Sequence, residues 1–222
     1  EDFLAKSIKL NPQDASSFSN LGLVFKNFGE IKKAEEYFNK AIELESFSAI
    51  HYSRLAIVLR ERGDILEAEK LQRTAIRIDE KYMPAYLNLA NILINLGSFN
   101  EAEELIRKAL YIKPDLYDAY SILANILLSL KRNQEACDYF LMAIEKRPDM
   151  SNTYNSITQF LEDYDLSMVG KDHLRKIFHY LVKREDIRWI NLFNSFCHLY
   201  DRETLLKISK LENNLFTYKL FN

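Results

Sequence analysis

The chain has 222 residues, 48% hydrophobic and 28% charged, with 30 Lys and Arg against 32 Asp and Glu. That composition suits a globular chain with a substantial core, and a formal net charge of -2 gives no electrostatic support to a nucleic-acid or membrane-surface role. No apolar run approaches the roughly 18 residues of a membrane span, and the two cysteines, Cys137 and Cys197, lie far apart in sequence, which points to reduced intracellular thiols and a cytoplasmic setting rather than a disulfide.

In chain order, residues 1–12 read as the second helix of a truncated repeat, with Leu4 and Ser7 at helical spacing and Pro12 after them. Both ends of the sequence read as cut, because Glu1 opens it without a methionine or a signal pattern and TYKLFN closes it without a cap.

Four helix pairs follow over 15–148, in segments 15–48, 49–82, 83–116 and 117–150. Within 83–116, Tyr86, Leu89, Ala90 and Leu93 share one face of a first helix, Gly97 follows it, and Ala102 and Ala109 mark one face of a second helix that ends before Pro114. A step of about 34 residues reproduces the set at Tyr52, Leu55, Ala56, Leu59, Gly63, Ala68 and Ala75. Another step back gives Phe18, Leu21, Gly22, Phe25, Gly29, Ala34 and Ala41, and a step forward gives Tyr120, Leu123, Ala124, Leu127, Ala136, Ala143 and Pro148. The small residues let helix axes approach closely, and the large ones fill the gaps between neighbouring pairs. Gly29, Gly63 and Gly97 are expected to be left-handed caps. Lys131 stands where the fourth pair would have its glycine, so the internal turn there is expected to differ. Pro12, Pro114 and Pro148 are expected to stop the second helices, whereas Ser46 and Glu80 occupy the proline position in the first two pairs.

From Ser151 the pattern fades. Tyr154, Ile157 and Leu161 predict a degenerate fifth first helix, and three further helices are expected over about 171–184, 186–200 and 201–213, with Asp201 as an N-cap. Residues 151–222 therefore read as a capping or connecting segment.

The repeated pattern resembles the tetratricopeptide repeat family, whose unit is a helix–turn–helix of about 34 residues. The resemblance implies an all-α, right-handed α-solenoid of such repeats, closed by a non-repeat helical C-terminal cap, whose first helices line a concave groove. Residues carried onto that groove are Asn20, Arg54, Asn88, Asn91, Asn95 and Asn125. A spaced row of amides offers both donors and acceptors to the backbone of an extended peptide. It partly resembles the asparagine ladder of some family members, interrupted here at Arg54 and Ile122. The carboxylate clamp that other members use for acidic chaperone tails is not matched, since only Asn88 fits it.

No chemistry emerges beside this surface. His51 stands alone at the third position of its helix, His173 and His179 are too far apart for a helical ligand pair, and Cys137 reads as a structural thiol. The sequence has no Gly-rich phosphate loop and no nucleophile elbow. The expected function is a protein–protein interaction scaffold holding a protein or peptide partner, with no catalysis, metal or cofactor in these residues, and no nucleic-acid or membrane partner. The alternative is the substrate-recruiting arm of a larger enzyme, of transferase type, whose catalytic domain lies outside the sequence. Self-association through the unpaired N-terminal helix is a further expectation.

Overall fold

The computed structural model describes residues 10–164, 166, 167 and 169–181, with Lys6, Arg184, Leu192, Ser195 and Leu199 as single residues. Among the described residues every regular element is a helix, and none is long and apolar enough to cross a membrane. The chain divides into two compact units, Glu1–Leu116 and Tyr117–Asn222.

The first unit contains α1 (Ala15–Asn27), α2 (Ile31–Leu44), α3 (Ala49–Arg62), α4 (Ile65–Ile78), α5 (Met83–Asn95) and α6 (Phe99–Ile112). Each first helix pairs with the second helix that follows, and each second helix packs on the next first helix, α2 on α3 and α4 on α5. Alanines make this possible. Ala34, Ala41, Ala56, Ala68, Ala75, Ala90, Ala102 and Ala109 are all fully buried at the crossings, where a larger side chain would hold the axes apart. One cluster joins Leu21 and Phe25 of α1, Phe38 of α2, Leu55 and Val58 of α3 and Ile92 of α5, so the core runs through successive repeats rather than closing within each one.

Gly22 takes the place that alanine holds in the other repeats because Phe38 fills the space above it. A Cβ on Gly22 would lie 2.8 Å from the Phe38 ring. In the second repeat the residue equivalent to Phe38 is Gln72, fully buried, whose amide nitrogen donates to the Ser53 carbonyl at 3.2 Å.

The turns inside the repeats share one hydrogen-bond scheme. The amide of Glu30 reaches the Phe25 carbonyl, Asp64 reaches Leu59, Ser98 reaches Leu93 and Arg132 reaches Leu127, all at 2.8–2.9 Å. Gly29, Gly63 and Gly97 supply the left-handed residue this closure requires, with φ of 77°, 102° and 74°. Contrary to the sequence expectation, the fourth turn does not differ: Lys131 adopts φ 59° and closes the same bond pattern.

Proline is not what stops the second helices. Lys113 and Arg147, which precede Pro114 and Pro148, end their helices at φ -135° and -137°. Glu45 and Asp79, with no proline after them, end theirs at φ -137° and -139°. Proline suits this extended break but does not create it.

The second unit contains α7 (Tyr117–Ser129), α8 (Asn133–Lys146), α9 (Ser151–Asp163) and α10 (Lys171–Leu181). Helices α7 and α8 form another pair, and α9 packs on both of them. Helix α10 seats chiefly on α8, burying Leu174, Ile177, Phe178 and Leu181. The expected helices over 186–200 and 201–213 and most of the N-terminal helix lie outside the described residues. The self-association assigned to that helix lies outside them as well.

Candidate functional site

Within the first unit the first helices pack side by side, α1 on α3 and α3 on α5, whereas α2, α4 and α6 stand farther apart. The α1–α3–α5 row is therefore the inner side of the unit's curve. Asn20, Arg54, Asn88, Asn91 and Asn95 all project from this row. Asn125 belongs to α7 of the second unit.

Much of the polarity on this face is already engaged. The Arg54 guanidinium donates to Ser19 Oγ at 2.7 Å and to Asn20 Oδ1 at 3.2 Å, tying α3 to α1. Burial lowers its pKa from the ordinary arginine value, with Tyr82 opposing. Arg54 thus acts as a strap between repeats as well as interrupting the amide row. Asn88 repeats the strap one step along, its Nδ2 standing 3.4 Å from Ser53 Oγ, at the outer limit of a hydrogen bond. In the second unit Asn125 donates to Ser156 Oγ at 3.3 Å.

His51 is not alone, as its sequence context suggested. It is 3% exposed, with Nδ1 at 3.1 Å from Ser19 Oγ and Nε2 at 3.0 Å from Glu45 Oε2. Ser19 Oγ thus joins Arg54 and His51, and the Glu45 carboxylate faces the other ring nitrogen.

What remains of the inner face is amphipathic. Leu23, Ile57 and Ile94 are half-buried along it, and Lys26 meets Glu61 at 3.0 Å on one rim. Asn91 is half-buried and Asn95 is exposed. Among the described residues neither makes a side-chain hydrogen bond. With Asn88 they form a run of three amides at helical spacing along α5.

The serines that anchor the straps, Ser19, Ser53 and Ser156, were missed as functional positions. For Ser19 and Ser53 a signal was present, since serine recurs at their place in the repeat and again at Ser121. In the second unit His173 Nε2 meets Asp138 at 3.1 Å, while His179 lies edge-on to Tyr180. Among the described residues no group of three His, Cys, Asp or Glu side chains is placed to hold a metal. Cys137 is fully buried, and burial, helped by Asp138, pushes its thiol up to about 12.

Two tetratricopeptide repeat models match the chain, one over residues 59–121 and the other over 15–47 and 117–149. No curated protein matches it. Among solved structures the chain is similar to a crystal structure of MamA, at 26% identity and TM-score 0.58 over 65% of this chain and 85% of that one. It is also similar to YrrB, described as a TPR protein with an unusual peptide-binding site, at 18% identity and TM-score 0.61 over 87% of this chain and 97% of that one. A third likeness is to the first TPR of Spaghetti (RPAP3) bound to the HSP90 peptide SRMEEVD, at 18% identity and TM-score 0.51 over 54% of this chain and 97% of that one. The last two likenesses establish the fold alone. With the repeat spacing, the shared turns and these family matches pointing the same way, the chain belongs to the tetratricopeptide repeat family.

Proposed function

We propose that the chain is a protein-interaction scaffold whose first unit takes an extended peptide segment along the inner face of α1, α3 and α5. The observation that carries this reading is the run Asn88, Asn91 and Asn95, two of whose amides have their donors and acceptors unspent among the described residues. Each offers a donor and an acceptor at the spacing of one helical turn, which suits main-chain amides better than any one side chain. The neighbouring Leu23, Ile57 and Ile94 supply apolar contact. Asn20 and Arg54 take the secondary part of orienting groups, because Arg54 already donates to Asn20 and to Ser19. Asn125, in the second unit, is a separate candidate of the same kind, partly engaged by Ser156. The peptide-binding descriptions of YrrB and of the RPAP3 repeats support an interaction role of this general kind.

The test is a selection of displayed random peptides on the full chain, followed by affinity measurement on the Asn88→Ala/Asn91→Ala/Asn95→Ala variant. The expected outcome is at least about tenfold weaker binding with an unchanged thermal midpoint, since two of the three residues hold no internal bond and the third holds a long one. Selected peptides that bind the variant as well as the parent chain would overturn the reading.

A further inference from the structure

The outer side of the first unit carries a second surface, unrelated to the amide run. Because α4 and α6 stand apart, a groove of about 620 Å³ opens between them, within the size range of ligand and peptide clefts. Its floor is apolar, made by Ile76 of α4, Leu89 of α5 and Leu105 of α6, and its α4 wall is cationic, made by Lys70, Arg73 and Arg77.

The cationic wall is particular to this repeat. One repeat earlier, the residues equivalent to Lys70, Arg73 and Arg77 are Glu36, Asn39 and Glu43, and one repeat later they are Glu104, Arg107 and Tyr111. The charges differ in how they are used. At one end of the groove Arg73 spans it, bonded to Glu69 of its own helix at 2.7 Å and to Glu101 of α6 at 2.6 Å, and Lys70 meets Glu67 at 3.1 Å. At the other end Arg77 donates only to Thr74 Oγ1 at 2.9 Å. On α6, Lys108 shares the helical face of Glu101 and Leu105 and lies over the Tyr86 ring at 5.9 Å. Both are exposed, and neither has an acidic partner among the described residues. The groove thus runs from a neutralised, bridged end to an open end with two uncompensated cations, over a floor of aliphatic side chains.

We infer that the α4–α6 groove is a docking site for an acidic segment of a partner protein, one that places an aliphatic side chain on Ile76 and Leu105 and carboxylates beside Arg77 and Lys108. The occupant follows from complementarity of charge and apolarity. An anion gains two cations at the open end, whereas a basic segment would meet them in repulsion. An uncharged apolar segment would cover the floor and leave the cations unpaired.

The experiment is fluorescence anisotropy on the full chain with a short fluorescein-labelled peptide of Leu interspersed with Asp and Glu, beside the same peptide with Lys in place of every acid. The acidic peptide is expected to bind and the basic one not, with affinity falling as salt is raised from about 0.05 to 0.5 M. Arg77→Glu/Lys108→Glu should weaken binding at least about tenfold, and the milder Arg77→Gln about threefold. Asn91→Ala/Asn95→Ala, on the inner face, should leave it unchanged. Circular dichroism checks that each variant keeps its helices. No binding of the acidic peptide at about 0.1 mM, equal binding of the basic peptide, or full affinity in the charge-reversed variant would overturn the inference. Loss in the inner-face variant would assign the acidic peptide to that face instead and overturn it as well.

Discussion

At the scale of single residues, one departure from the repeat pattern is answered by a neighbour and another is not. Gly22 answers Phe38. Replacing it by alanine puts a methyl 2.8 Å from the ring, closer than packed carbon atoms come, and overpacking of this kind costs about 1–3 kcal/mol. Gly22→Ala should therefore lower the urea midpoint, and adding Phe38→Leu should recover most of the loss. A double variant no better than the single one would show that Phe38 is not the obstacle. Lys131 has no such neighbour to answer it. Its φ of 59° places a side chain where glycine is at ease, so Lys131→Gly should stabilise the chain by about 0.5–1 kcal/mol, read as a raised midpoint at unchanged slope.

Cys137 gives a residue-scale prediction with a definite sign. The folded thiol is pushed up to about 12, against 9.0 for the free group. Its contribution to stability is therefore complete below about pH 9 and is lost as pH rises towards 12, because the unfolded thiol ionises while the folded one stays protonated. Comparing urea unfolding of the parent chain and Cys137→Ala at pH 8 and pH 10 removes the contribution of other titrating groups. The parent's advantage should shrink by about 1.4 kcal/mol. An equal difference at both pH values would mean that the thiol ionises freely in the fold.

At the scale of the helix pair, legibility in the sequence depended on whether a feature is set by spacing or by how far one helix sits from the next. The pairs over 15–148 could be read because Ala90 and Ala109 and their equivalents must be small wherever axes cross, and that requirement repeats with the step. The four internal turns could be read at three positions through glycine. They were misread at Lys131, where the six-residue closure from Arg132 to Leu127 holds the backbone in place against its local preference. The straps were not legible. Whether Arg54 reaches Ser19, or Asn88 reaches Ser53, depends on the separation of α1, α3 and α5, and no residue count gives that distance. Within the first unit the amides lie on the row of first helices, yet sequence could not distinguish those already engaged, Asn20 and Asn88, from those with spare capacity, Asn91 and Asn95. The cationic wall of α4 was overlooked for a related reason: it appears as a surface only once α6 stands opposite it.

At the scale of the whole molecule, one feature bears on how such a chain can change length. All four second helices leave their last turn at nearly the same backbone angles, Glu45 and Asp79 as well as Lys113 and Arg147, whatever residue comes next. The junction between neighbouring pairs is thus standardised in geometry while remaining free in composition. A duplicated copy of 49–82 inserted after Tyr82 would meet the same angles on entry and on exit, and would set a second α4-type face beside the first. The molecule can acquire or shed whole cassettes without redesigning a seam, so its reach, and the number of cationic clefts along its outer side, is open to revision by recombination alone.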